Sequence, residues 1–119
     1  MEFNEYIINM KEGERLMKKI LLVCNAGMST SMLVEKMKLA AKELNEEHTI
    51  WAVSVEGVES EVDNCDCILL GPQVRLQKNN ILKIAKNVPV EVINPSDYGR
   101  QNGMAVLEFA KKLVTEKGE

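Results

Sequence analysis

No apolar run in this 119-residue chain approaches the ~20 residues that a membrane-spanning helix needs. The amino terminus lacks the charged, apolar and small-residue order of a secretory signal. Positive charge is not in surplus: 15 Lys+Arg stand against 18 Asp+Glu, a net charge of -3. That balance argues against nucleic acid as the partner, because phosphate binders usually carry a basic face. The cysteine count, three, is odd, and without an export signal it implies a reducing cytosol with free thiols. Cys65 and Cys67 are an x-spaced pair without the further ligands that zinc requires, and both read as small buried hydrophobes. His48, the single histidine, sits in a polar turn and reads as a solvated loop residue. Against these absences stand 45% hydrophobic and 28% charged residues, the balance of one globular domain. A chain of this length can bury roughly two-thirds of its unfolded surface, so it folds without disulfide or metal.

Residues 1–16 show neither a helical nor a strand period, and Met17-Lys18-Lys19 leads straight into the apolar Ile20-Leu21-Leu22-Val23. Glu12-Gly13-Glu14 can be back-translated to contain the purine run of a bacterial ribosome-binding site, a few codons upstream of Met17. The expectation is that residues 1–16 are a disordered leader or a mis-assigned start, and that residues 17–119 form the domain. An ordinary short extension is the alternative, and the mass of the native protein decides between them. The leader holds two basic and four acidic residues, so the domain alone is nearly neutral.

Beyond Met17, strand and helix patterns alternate. Lys19–Cys24 is a continuous apolar run, as expected of a central strand buried on both faces. Ser29–Leu44 places Leu33, Met37, Ala40, Ala41 and Leu44 at helical spacing. Thr49–Val55 is β-branched and aromatic and predicts a second strand, followed by a short helix or loop over Glu56–Asn64. Asp66–Leu70 predicts a third strand, stopped by Gly71-Pro72, and Val74–Asn87 a helix carrying Leu76, Ile81, Leu82 and Ile84. Pro89–Ile93 predicts a fourth strand, with Glu91 suggesting a sheet edge, and Gln101–Glu116 a last amphipathic helix. Alternation of this kind implies right-handed crossovers and an α/β fold: a four-stranded parallel sheet, order 2-1-3-4, with helices on both faces. In such sheets the functional crevice lies beyond the carboxyl ends of the strands, beside the first strand. Three turns are thereby selected: Cys24–Ser31, Gly71–Arg75 and Asn94–Arg100.

The first turn carries the chemistry. Cys24-Asn25-Ala26-Gly27-Met28-Ser29-Thr30-Ser31 leaves a strand and opens a helix. Such a loop can point successive backbone N–H groups inward, and the helix adds about half a positive charge at its start. Gly27 permits a close backbone path, and Ser29 and Thr30 add hydroxyl donors. The result suits a tetrahedral oxyanion with a cysteine sulfur at its mouth. A thiol of pKa ~8.5 is only about 3% thiolate at neutral pH, and a helix N-terminus moves that value into the range ~3.5–7.5. The loop is therefore expected both to activate Cys24 and to hold the phosphate that Cys24 attacks, with no cofactor and no metal. Cysteine phosphatases use Cys-x5-Arg, in which the arginine clamps the phosphoryl group. Thr30 occupies that position here, which favours relay of the phosphoryl group over its hydrolysis.

The loop resembles the phosphocysteine loop of enzyme IIB of the bacterial phosphoenolpyruvate-dependent sugar phosphotransferase system, lactose/cellobiose type. The likeness continues at Ile68-Leu69-Leu70-Gly71-Pro72-Gln73 and at Asp97-Tyr98-Gly99-Arg100, with Gly103 following, and spans about Lys18 to Lys112. It implies a fold like that of the low-molecular-weight tyrosine phosphatases and a protein-phosphohistidine–sugar phosphotransferase working through S-phosphocysteine. Cys24 would accept the phosphoryl group from a phosphohistidine of IIA and pass it to a sugar, cellobiose, chitobiose or lactose, during uptake through the membrane permease IIC. Asn25, Ala26, Gly27, Met28, Ser29 and Thr30 would bind the phosphoryl group. Ser31, Gly71, Pro72, Gln73, Tyr98 and Gly99 would support the loop or form the docking face, with Gln73 hydrogen-bonded to the loop and Met28 and Met32 exposed to partners or, for Met32, core. Such a protein would be cytoplasmic, touching the membrane only through IIC. A low-molecular-weight phosphatase or arsenate reductase, with Asp97 as a late general acid, remains an alternative. So do a regulatory IIB-like domain and a thiol redox protein that recruits Cys65 or Cys67.

Overall fold

A computed structural model describes residues 17–25 and 28–118, with the side chains of residues 26–29 and 116–119 outside the description. The reading of residues 1–16 as a leader also falls outside the described residues. Four strands form one parallel sheet in the order β2-β1-β3-β4: β1 (Lys19–Cys24), β2 (Thr49–Ser54), β3 (Cys67–Leu70) and β4 (Val90–Val92). Lys19 to Cys24 register against Thr49 to Ser54 on one side, and Ile20 to Val23 against Cys67 to Leu70 on the other. β1 and β3 are buried along both faces, which is why their sequences do not alternate.

Side chains of successive strand residues enter opposite layers. Ile20 and Leu22 of β1 and Leu69 of β3 face helix α1 (Met28–Glu43) and the last helix, α5 (Gly103–Gly118), through Leu33, Met37, Val106, Leu107 and Ala110. Leu21, Val23, Ile68 and Leu70 face the other layer, made of Val58, Val74, Ile81 and Ala85. That second layer is less regular than its sequence suggests. Residues 55–64 wind through a 3₁₀ turn, the single-turn helix α2 (Val58–Glu61) and another 3₁₀ turn. The helix expected over Val74–Asn87 is two pieces, a 3₁₀ stretch Pro72–Gln77, itself kinked at Val74 (φ −114°, ψ 21°), and helix α3 (Lys78–Ala85), which follows it directly. A 3₁₀ turn advances fewer residues per revolution than an α turn, so the apolar stripe loses phase across the junction. Ile81 stays buried, whereas Leu76, expected on the same inward stripe, is 84% exposed.

One element is absent from the sequence reading. Pro95–Gly99 forms helix α4, a single turn where a plain loop was expected. Its start is capped by Asn94, whose Oδ1 accepts from the N–H groups of Ser96 (2.8 Å) and Asp97 (3.2 Å). Asparagine followed by proline at the first helical position is a helix start signal, and it could have been recognised from sequence.

His48 requires a correction. It does lie in the turn before β2, but its side chain is fully enclosed rather than solvated. Nδ1 accepts from the Lys18 backbone N–H (3.0 Å), which places the proton of a neutral ring on Nε2, facing Glu46 Oε1 at 2.7 Å. Glu46 Oε2 in turn holds Lys111 Nζ of α5 at 2.9 Å. The polar turn is thus a clasp at the amino edge of the sheet, opposite the crevice.

Candidate functional site

The three selected turns all lie at the carboxyl edge of the sheet, and hydrogen bonds tie the second to the end of β1 and to the third. β1 ends at Cys24, which has no solvent exposure, and the chain bends at the exposed Asn25 before α1 begins at Met28. By strand alternation Cys24 shares the face of Ile20 and Leu22, the face α1 covers. Thr30, in the first turn of α1, is likewise 0% exposed, and its Oγ1 lies 3.2 Å from Cys24 Sγ. Ala26 and Gly27, and the side chains of Met28 and Ser29, fall outside the described residues, so their expected part in binding phosphate is carried forward as an expectation.

The β3 turn is held against the end of β1 by the Gly71 N–H, which donates to the Val23 carbonyl at 2.8 Å. The fit around Gly71 is close: a Cβ would stand 2.5 Å from Gln73 Oε1, the movable end of that side chain, and in ordinary contact with Val23 O (3.4 Å) and Tyr98 Cε1 (3.5 Å). Pro72 opens the 3₁₀ stretch, and Arg75 Nη1 returns to its carbonyl at 3.1 Å. Gln73 Nε2 donates to Tyr98 Oη at 2.9 Å, so the bond seen for Gln73 bridges the second and third turns. Tyr98, on α4, packs against the cluster shared by β1 and α1, with its Cε1 beside Gly71. Gly99 is exposed, and a Cβ there would meet nothing within 4 Å. Ser31 and Met32 are exposed on α1, Met32 at 62%, which resolves Met32 as a surface residue and not core.

The other sequence candidates separate from this edge. Cys67 pairs with Ile20, four residues before Cys24 along β1, a separation of about 13 Å at strand rise. A disulfide needs Cα atoms about 4.4–6.8 Å apart, so Cys67 is not a resolving thiol for Cys24. Cys65 lies next to it at the same amino edge, its Sγ donating to Val62 O at 3.6 Å. Burial, with nearby acidic charge, pushes the Cys65 thiol up to about 11. Burial likewise pushes Cys67 up to about 12, so both stay protonated and inert. Asp97 lines a concavity of about 360 Å³ with Val92, Ile93, Asn94, Val106 and Phe109, a lining in which neither Cys24 nor Thr30 takes part. Among the described residues, no group of three His, Cys, Asp or Glu side chains is placed to hold a metal ion. The arrangement is a buried thiol with a hydroxyl against it, at the start of a sixteen-residue helix, and it suits transient capture of an anion.

Comparison with known proteins returns one family. The family described as "PTS system, Lactose/Cellobiose specific IIB subunit" matches residues 19–109. The oligo-beta-mannoside-specific EIIB component of Bacillus subtilis is 42% identical over 103 residues, covering 85% of this chain and all of that protein. The galactose-specific EIIB component of Lactococcus lactis subsp. cremoris is 40% identical over 104 residues, 82% of this chain and 96% of its own. Among solved structures, the cellobiose-specific phosphotransferase IIB component of Borrelia burgdorferi superposes with a TM-score of 0.73 at 43% identity, covering 85% of this chain and 94% of its own.

Proposed function

The chain belongs to the lactose/cellobiose-specific IIB family of the phosphotransferase system, and from that membership we propose that Cys24 is the phosphoryl carrier. IIB components act as phosphotransferases in sugar uptake and work with IIA and IIC partners. The observation that carries the assignment is Cys24 itself. It is the described thiol at the carboxyl edge, enclosed at the start of α1, while Cys65 and Cys67 lie at the other edge.

In the first step the thiolate of Cys24 attacks the phosphorus of a phosphohistidine on IIA. The S–P bond forms as the N–P bond breaks, and its electron pair returns to the imidazole. Backbone amides over residues 25–30, with the hydroxyls of Ser29 and Thr30, stabilise the charge spread over the equatorial oxygens. Transfer of this kind depends on positioning and electrostatics. In the second step the phosphoryl group passes to a sugar hydroxyl presented by IIC. Both partners use one docking face, formed by the β3 and β4 turns around the loop, because the phosphoryl group cannot move between distant sites. The transient contacts expected of a carrier fit a modest interface. No helix among the described residues is long and apolar enough to cross a membrane. The carrier is assigned to the cytoplasm, meeting the membrane through IIC.

The sugar is assigned to the β-linked disaccharide class, cellobiose, chitobiose or lactose. Relatives named for oligo-β-mannosides, galactose and cellobiose stand at 42%, 40% and 43% identity, which fits sugar selection residing in IIC. The test is phosphorylation with phosphoenolpyruvate, the general phosphotransferase proteins and candidate IIA partners. Label should appear in the wild-type chain and vanish in Cys24→Ser. Label that persists in Cys24→Ser overturns the assignment, as does turnover of p-nitrophenyl phosphate, which would mark a phosphatase.

A further inference from the structure

We propose that Thr30 controls the charge on the reacting sulfur, its hydroxyl holding Cys24 as a thiolate before transfer and receiving it as a thiolate afterwards. The proposal rests on the reading of Cys24 as the carrier. It starts from the 3.2 Å contact between two groups that solvent does not reach. A threonine hydroxyl has one donor hydrogen and two lone pairs, and it reorients by rotation about a single bond. Facing a thiol, Oγ1 can accept the S–H. Facing a thiolate, which has only lone pairs, the O–H must turn and donate. Solvent does not reach either group, so water does not compete for that contact, and hydrogen bonds to charged groups are about twice as strong as neutral ones. The hydroxyl therefore favours the anion, the nucleophilic form.

The same rotation serves the second half of the cycle. Once sulfur carries the phosphoryl group it is neutral and a poor acceptor, and the hydroxyl is released toward a phosphoryl oxygen. When a sugar hydroxyl attacks phosphorus, the O–P bond forms and the S–P bond breaks, its electron pair going to sulfur. The sugar hydroxyl's proton passes to water, and Thr30 turns back to the new thiolate. The position that a phosphatase gives to an arginine on the phosphate is here given to a hydroxyl on the sulfur. The leaving group is thereby stabilised without a cation that would promote attack by water.

Thiolate absorbance in the far ultraviolet, followed from about pH 5 to about pH 10, reads this directly, and subtracting the matching Cys24→Ser protein isolates Cys24. Thr30→Val removes the donor and keeps the shape. Its Cys24 transition should move upward by about one to two pH units, about a 5- to 50-fold loss of thiolate where the wild type is half ionised. Thr30→Ser should stay within about threefold of wild type, since it keeps the hydroxyl. Coincident wild-type and Thr30→Val curves overturn the proposal, as does a Thr30→Ser curve shifted as far as that of Thr30→Val. Thermal melts check each fold, and Thr30→Ala replaces Thr30→Val if the latter does not fold. The same proteins are offered phosphorylated IIA. A Thr30→Val shift beside a wild-type chain that takes no label supports the Thr30 inference and removes the relay. Label with an unshifted curve removes the inference alone.

Discussion

Thr30 and Lys86 are side chains that depart from what their positions in the chain ordinarily ask of them. Thr30 was legible as a hydroxyl in an anion loop, but its alignment on the sulfur was not, because a spacing of six residues does not say which way a side chain turns. Lys86 ends α3 at φ 59°, ψ −107°, and the turn it opens is closed by the Val88 N–H on the Ala85 carbonyl at 3.0 Å. Those angles match the first central position of a type II′ turn, where glycine is favoured because a Cβ is strained. Backbone strain of this kind is worth about 1–3 kcal/mol, and glycine returns part of the gain as chain entropy. Lys86→Gly should therefore stabilise the protein by about 1 kcal/mol. A higher urea midpoint at unchanged slope is the expected reading, and an unchanged or lower midpoint shows that the turn is not strained. The sequence offered no hint here, since Lys-Asn is an ordinary pair until its dihedral angles are seen.

Among the elements, α1 and α5 were readable because each is long enough to show its period, and the first three strands because each is a short apolar or β-branched run. The edge strand β4 was readable through Glu91, which is half-buried and paired with Lys78 at 3.1 Å. Residues 72–85 were misread because one apolar pattern spans two kinds of helix, and α4 was missed because one turn is too short to have a period. The packing of α5 on α1 rests on a residue that was noticed only as part of a motif. A Cβ on Gly103 would overlap the Lys36 carbonyl carbon and stand 2.5 Å from its oxygen and 2.7 Å from Met37 N. These are backbone atoms of α1 and cannot swing aside, so the helices must separate to admit a methyl group. Gly103→Ala should cost about 1–3 kcal/mol through overpacking and lower the melting temperature by several degrees. Gly99→Ala, facing open space, should leave the melt within about 0.5 kcal/mol of wild type. Equal melts for the two variants would show that α5 does not approach α1 this closely.

Across the whole molecule, alternation of strand and helix was enough to predict the sheet order, since handed crossovers leave few ways to arrange four parallel strands. Chemistry then divides between the two edges: the thiol site at the carboxyl edge and the clasp of Lys18, His48, Glu46 and Lys111 at the amino edge. The clasp was illegible in sequence because Glu46 and Lys111 stand 65 residues apart and His48 and Lys18 stand 30 apart. It joins the start of β1, the turn before β2 and helix α5, so its loss should loosen the layer that positions α1. Burial pushes the Glu46 carboxyl up, but hydrogen bonds from His48 and Lys111 and the Lys111 charge outweigh it and hold the group below its ordinary 4.5. For Lys111, burial acts downward while Glu46, with Glu108 beside it, raises the ammonium above its ordinary 10.5. A carboxyl lowered on folding contributes stability that is complete above its unfolded value and is lost as pH falls through the folded one. An ammonium raised on folding contributes stability that is complete below its unfolded value and is lost as pH rises through the folded one. Glu46→Gln should therefore lower the urea midpoint at neutral pH and flatten its fall below 4.5 and its decline above 10.5. Wild-type and Glu46→Gln midpoints that run parallel across both windows would show that the clasp is exposed to water and holds nothing. Convergence of the two curves at both extremes, with the widest gap between them, is the signature of a buried link that depends on both charges.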